Sequence, residues 1–319
     1  FQAEDGIRDA QESRGLGDVY KRQQEAKLRL IVAAREFARD TLGLDVGRSF
    51  SRYHDTGGEP VMYSLTACRP DRLAPKTWWF PIAGTVDSLV FFSEAEASAR
   101  ASELAAAGYD TYVFGTDAYS TLGWFPDPVH SRALNRSDGS LAETVFHECA
   151  HNTVFAPGQP AFNESLATFV GRLGARLFFE QRGEEGGQIV AELERDYADQ
   201  QRITAWVLEL IGTLTQYYAQ DLTYEEKVSG REAVFQAARD RFLAEVQPLL
   251  NNPRYAWWAE IPTNNAFVLV HRRYNLDLAV FAETYERCGG DMRAFLDTLR
   301  AAAARPDAFA YLRSLGGSP

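Results

Sequence analysis

The sequence predicts an α+β fold from three observations. Short runs rich in β-branched and aromatic residues, bounded by Gly and Pro, are confined to the first 125 residues. From Leu141 onward the apolar residues recur almost throughout at helical spacing. No Gly-x-Gly-x-x-Gly or phosphate-loop pattern occurs, which argues against a doubly wound nucleotide binder. Strands first and helices afterwards is the order expected of a small mixed β-sheet with its helices gathered to one side.

Glu25 to Leu42 opens the fold as a core helix, with Leu28, Leu30, Ile31, Ala34, Phe37 and Ala38 as its apolar stripe. Residues 61–67, 78–83 and 86–92 then read as strands. An Ala/Glu-rich helix over 93–107 and a strand over 111–115 follow. Tyr119 to Phe125 reads as a last, edge-like strand that Pro126-Asp127-Pro128 ends. Helices are expected at 141–154, 161–181, 187–219, 224–249, 276–287, 290–304 and 307–314. Charges on the helix at 187–219 read as a solvated face rather than a partner site. Residues 25–319 are thus expected to form one domain, with a sheet-containing lobe over 25–155 and a helical lobe over 156–319.

With 319 residues, 45% apolar and 24% charged, the chain can bury a large core. A net charge of −11 without any basic stripe speaks against a nucleic-acid partner. No window of eighteen apolar residues occurs, so no transmembrane helix is expected in this sequence. Cys68, Cys149 and Cys288 are too few and too scattered for a disulfide framework or a cysteine metal site.

The residues that carry chemistry begin at His147-Glu148-Cys149-Ala150-His151. Helix positions four apart lie on one face, so both imidazoles can reach one ion at about 2.0–2.1 Å. Glu148 projects about 100° round from His147, which suits a carboxylate that takes a proton from activated water. Ser137-Asp138-Gly139-Ser140 supplies turn and cap residues, and Leu141, Val145 and Phe146 stand at helical spacing, so the motif sits in a helix. Pro157-Gly158-Gln159-Pro160 breaks that helix, and Asn163-Glu164-Ser165-Leu166-Ala167-Thr168 begins a second one that can pack antiparallel to it. His147, His151 and Glu164 make a His₂Glu set, which leaves a fourth position open and so points to catalysis by one zinc per chain. The alternative for Glu164 is an ordinary solvated glutamate in a helix's first turns. Cys149 lies on another face and reads as a small core residue.

Together these residues resemble the predicted aminopeptidases of the zincin superfamily, in its glutamate-ligand (gluzincin) branch. The resemblance covers about residues 28–300, through Lys76-Thr77-Trp78-Trp79-Phe80-Pro81, Ala118 to Phe125, both motif helices and Thr263-Asn264-Asn265-Ala266. It implies a zincin-like fold and a metal-dependent peptidase acting on peptides, with His147, His151 and Glu164 as ligands and Glu148 as base. In zincins an edge strand lies beside the metal helix, so Tyr119, Ser120, Thr121, Leu122, Gly123 and Trp124 are expected to pair with extended substrate. Asn264 and Asn265 are candidate substrate contacts, or else caps of a helix or turn. Gluzincins commonly draw an oxyanion donor from beyond the metal helices; Tyr274 is the first candidate here, with His271 and Tyr119 behind it, against the alternative of packed residues with satisfied tips.

Two features depart from better-studied gluzincins. Thr168 stands where an acidic residue often follows the glutamate ligand by four, so the acceptors of the ligand histidines are unassigned. The Gly-x-Met-Glu-Asn stretch by which large gluzincin aminopeptidases hold a substrate amino terminus is absent. Besides a peptidase, a metallohydrolase of another amide or ester and a zinc-binding scaffold without turnover fit the same residues.

Residues 1–24 are expected to be a non-native or disordered leader, because Ala3 to Asp9 and Ser13 to Gln23 resemble a translated sequencing-adapter read. The first residue is Phe1, and a native N-terminus with any export or lipoprotein signal is expected to have been lost. The compartment expected in that case is the cell envelope or periplasm, and otherwise the cytoplasm.

Overall fold

The computed structural model describes residues 22–48, 50–57, 59–81, 84–116, 129–273 and 278–316. In chain order the strands are β1 (Tyr53–His54), β2 (Met62–Cys68), β3 (Trp78–Phe80), β4 (Gly84–Val86), β5 (Leu89–Phe91), β6 (Asp110–Thr116) and β7 (Val129–His130). The helices are α1 (residues 22–40), α2 (Glu94–Ala106), α3 (Asp138–Thr153), α4 (Pro160–Glu180), α5 (Gly183–Tyr218), α6 (Tyr224–Arg241), α7 (Asn265–Arg273), α8 (Ala279–Arg287), α9 (Met292–Ala303) and α10 (Ala308–Gly316). The chain divides into two compact units, Phe1–Gly58 with Ser120–Val190 and Ala279–Pro319, and Glu59–Tyr119 with Ala191–Leu278. The lobe boundary expected at residue 155 falls inside the first unit, so both motif helices share one core.

In the first unit, α1 buries Ile31, Ala34 and Ala38, part of the stripe its spacing predicts. Ser137 caps α3 by accepting the Ser140 N–H at 3.3 Å, which starts the helix at Asp138 rather than Leu141. Pro160 opens α4, where its missing N–H leaves no bond unmade. Phe37, Phe146 and Phe178 lock α1, α3 and α4 by edge-to-face contacts with centroids 5.4–6.0 Å apart. Phe162 and Phe169 of α4 pack on Phe281, Phe295 and Phe309 of the last three helices. Strands β1 and β7 pair in parallel here, a match of two residues each and too short to carry a readable period.

Helices α3 and α4 approach each other closely. A Cβ on Gly171 would lie 2.9 Å from the carbonyl oxygen of Glu143 and 3.2 Å from Cβ of His147. One on Gly174 would lie 2.8 Å from the ring of Phe146 and 3.1 Å from Leu42. Two glycines one turn apart therefore let α4 press its backbone against the face of α3 that carries His147.

In the second unit, β2 is the centre of an antiparallel sheet ordered β5-β2-β6. Leu65 and Ala67 of β2 meet Leu104 of α2. Among the described residues, strands β3 and β4 pair only with each other. Instead of one mixed sheet, the described strands thus form three separate pieces. Five of them are two or three residues long and each pairs with a single neighbour.

Trp206, Leu210 and Leu214 of α5 pack with Phe235 of α6, then Phe242, Trp258 and Phe267. The helix expected to reach residue 249 stops at Arg241 and continues as a π turn (Phe242–Val246) and a 3-10 turn (Gln247–Leu249). Pro248 lacks an N–H and crowds the carbonyl one turn back, so the α ladder cannot pass through it. Helix α7 was not expected from the sequence, because the buried run Ala266 to Val270 shows neither helical nor strand periodicity.

The glycine contacts predict opposite signs for two substitutions. Gly171→Ala gains helix propensity of up to about 1 kcal/mol but must displace backbone, an overpacking cost of about 1–3 kcal/mol, so it should lower stability. Gly212→Ala in α5 meets nothing within 4 Å and should raise it by about 0.5–1 kcal/mol. Denaturant midpoints of the two variants check both signs.

Candidate metal centre

His147 and His151 face the same side of α3, with their Nε2 atoms 3.1 Å apart. Glu164 of α4 reaches both, Oε2 lying 3.7 Å from His147 Nε2 and Oε1 3.6 Å from His151 Nε2. All three ligand atoms lie within 4.8 Å of one another, and this is the one His/Cys/Asp/Glu group of that kind among the described residues. The pairing of His151 with Glu164 and of His147 with Gly171 means that α3 and α4 run antiparallel, as the breaker between them implies.

These distances fit a shared ion. Tetrahedral ligands at about 2.0–2.1 Å from a metal stand about 3.3–3.4 Å from one another, close to the three separations here. The charge state fits as well. Burial first, then the neighbouring His151 and then Arg136, push His147 down to about 3. Burial alone pushes His151 down to about 4, so both rings are neutral near pH 7 and can offer a lone pair. The carboxyl of Glu164 is tucked against the two rings and its pKa is raised by burial, although the side chain as a whole is half exposed. A carboxylate and two neutral imidazoles brought together have the chemistry of a donor set for a divalent metal ion. The Nδ1 atom of His151 is buried and has no hydrogen-bond partner among the described residues.

Glu148 lies between the two histidines on α3 and is half-buried. Cys149 is 1% exposed, and burial pushes its thiol up to about 12, so it is a neutral core residue at the pH where the imidazoles are neutral. Two residues that the sequence reading passed over shape the centre. Asn163 holds the α3–α4 turn through the backbone of Ala156, and Gly171 admits His147. The signals were visible as an amide one residue before Glu164 and a Gly-x-x-Gly spacing in α4.

Tyr119 to Trp124 and Tyr274 are outside the described residues. Asn264, Asn265 and His271 belong to the second unit. Asn264 accepts the Phe267 N–H at 3.0 Å and donates to the Thr111 carbonyl at 2.8 Å, the bonds of a helix cap. Asn265 is fully buried: its Nδ2 donates to the Arg69, Pro70 and Arg72 carbonyls, its Oδ1 accepts from the Tyr218 hydroxyl, and its N–H donates to Asp110. Arg231 grips the same Asp110 with two bonds of 2.6 and 2.9 Å. His271 is boxed by Phe267, Trp258, Trp257 and Tyr112, with centroids at 4.4, 4.6, 6.1 and 6.5 Å. Its Nε2 is buried without a hydrogen-bond partner among the described residues, and burial pushes its pKa down to about 4.

The profile of a protein family described as "Putative aminopeptidase" matches residues 16–310, most of the chain. No curated protein and no solved structure matches it. No helix among the described residues is long and apolar enough to cross a membrane.

The aromatic box generates a pH prediction. His271 drops from the ordinary 6.5 to about 4, so the unfolded chain binds this proton more readily and the fold loses stability as pH falls through that window. His271→Phe keeps a ring in the box and should lose less stability than the parent chain between pH 7 and pH 4.5, by on the order of 2 kcal/mol. Urea unfolding at the two pH values measures the difference; equal losses in both chains would show that the folded state protonates His271 freely.

Proposed function

The chain belongs to the family described as "Putative aminopeptidase", and from that premise we propose that it is a zinc-dependent peptidase of zincin type that removes residues from peptide amino termini. The observation that carries the zinc reading is the convergence of His147, His151 and Glu164, whose ligand atoms stand within 4.8 Å of one another. His147 and His151 would hold the ion as neutral imidazoles and Glu164 as the anionic ligand. Bound there, zinc would supply a Lewis acid that polarises the scissile carbonyl and makes water acidic enough to attack at neutral pH.

The chain's own residues then divide the work. Glu148 has the position of the general base, one residue on from the first ligand and so about 100° round the helix. It takes the proton from the attacking water and returns it to the nitrogen of the leaving amine, so that the C–N bond breaks without releasing an amide anion. Burial keeps both imidazoles neutral, so protons do not compete for their ligand lone pairs at neutral pH.

Two expected outcomes test this. Metal analysis of the purified protein should find about one zinc per chain, and the His147→Ala, His151→Ala double variant should lose it. Undiminished zinc in that variant rules out the ligand assignment. Glu148→Gln should keep zinc and lose peptide hydrolysis by on the order of 10²–10⁴-fold, because the amide keeps the shape but cannot accept the proton. Release of N-terminal residues from free but not N-acetylated peptides checks the exopeptidase reading, while zinc without turnover of any peptide or ester would leave a scaffold.

A further inference from the structure

The connection between α3 and α4 is only six residues, 154–159, and the geometry of the centre hangs on it. Asn163 is 5% exposed, in the first turn of α4. Its Oδ1 accepts the N–H of Ala156 at 2.8 Å and its Nδ2 donates to the carbonyl of the same residue at 2.9 Å. One side-chain amide thus satisfies both backbone groups of Ala156, which is itself fully buried. Asparagine is a poor helix-interior residue because its amide competes for backbone partners, and here that competition is put to use.

The cap of α4 does not do this work. Gln159, at the cap position, makes no side-chain bond to the first turn. Its amide is spent away from the helix, donating to the Arg305 carbonyl at 2.9 Å and accepting the Ala308 N–H at 2.8 Å. Helix starts fray when their free N–H groups lack a partner. Glu164 is one residue beyond Asn163, and neighbouring Cα atoms are about 3.8 Å apart, so any slackness at Asn163 reaches the ligand almost undiminished.

We propose that Asn163 is a positioning residue for the metal centre, clamping Ala156 within the α3–α4 turn so that the Glu164 carboxylate stands at the right height against His147 and His151. This rests on the reading of those three residues as metal ligands. The second amide, Gln159, fixes the same turn to the α9–α10 corner but not to the ligand-bearing side, so it serves as the internal control.

The test compares zinc affinity, by chelator competition, and the visible spectrum of the cobalt-loaded protein in the parent chain, Asn163→Ala and Gln159→Ala, alongside melting of the metal-free forms. Asn163→Ala should weaken zinc by about tenfold or more and alter the cobalt bands, as loss of groups that orient ligands does. Gln159→Ala should lower the melting temperature and leave affinity and spectrum as they were. Unchanged affinity and spectrum in folded Asn163→Ala, or an equal loss in Gln159→Ala, overturns the proposal. If Asn163→Ala does not fold, Asn163→Asp, which keeps the acceptor for the Ala156 N–H and loses the donor, carries the same expectation. A parent chain that takes up no zinc, or whose zinc survives loss of both histidines, overturns the ligand reading itself and the proposal with it.

Discussion

His147, His151 and Glu164, the candidate metal ligands, are brought together by the packing of α3 against α4 at Gly171 and Gly174. Helices that meet through ordinary side chains keep their axes about 8–10 Å apart. Here the Cβ atoms that would hold them off are missing, and the backbone of α4 lies against Glu143, Phe146 and His147. His147 and His151 are aligned by the helix they share, but nothing covalent sets their distance from Glu164 beyond a six-residue turn. The separations of 3.6 and 3.7 Å are therefore a product of packing. The Phe37, Phe146 and Phe178 cluster keeps that packing from sliding, because ring edges seat into ring faces.

Burial then decides the chemistry open to this cluster. It holds both imidazoles neutral and makes the Glu164 carboxyl harder to ionise. An uncompensated carboxylate in such a place is costly, and a divalent cation would offset that cost through two uncharged donors and one anionic one. Arg136 is no substitute. It bonds the hydroxyl of Thr144, one turn before His147, and adds to the downward push on that ring. Cys149, so close in sequence, is removed from consideration by the same burial that favours the histidines, since a thiol at about 12 is not a thiolate.

In the second unit, polar residues that invite a functional reading are occupied by the fold. The 69–72 turn points the carbonyls of Arg69, Pro70 and Arg72 toward a buried site, where Asn265 donates to all three and Arg231 also donates to that of Pro70. Asp110 in turn joins Arg231 and the start of α7, so strand β6 and helices α6 and α7 meet at one ion pair with its hydrogen bonds made. An asparagine pair in a sequence looks the same whether it will hold a substrate or a carbonyl.

Much of this protein was legible from local pattern. The 3.6-residue period marked α1, α3, α4 and α5, the Pro157-Gly158-Gln159-Pro160 run marked the reversal, and the four-residue spacing of His147 and His151 put both on one face. Those features depend on neighbours within a turn or two, which a sequence displays directly. The break after Arg241 was not read, because the spacing of apolar residues carries a helix on to residue 249 and masks Pro248, which forbids a continuous ladder. What the sequence could not decide was which distant groups become partners. The split of the strands into three pieces, the division into two interleaved units, the burial of Asn265 and the clamp of Asn163 on Ala156 depend on which surfaces meet. The sequence by itself determined which residue types share a helix face and where helices must stop, because backbone sterics and side-chain spacing act locally. Only the tertiary structure decided how near Glu164 comes to the histidines and how neutral they are, because close packing and desolvation are set by atoms remote along the chain.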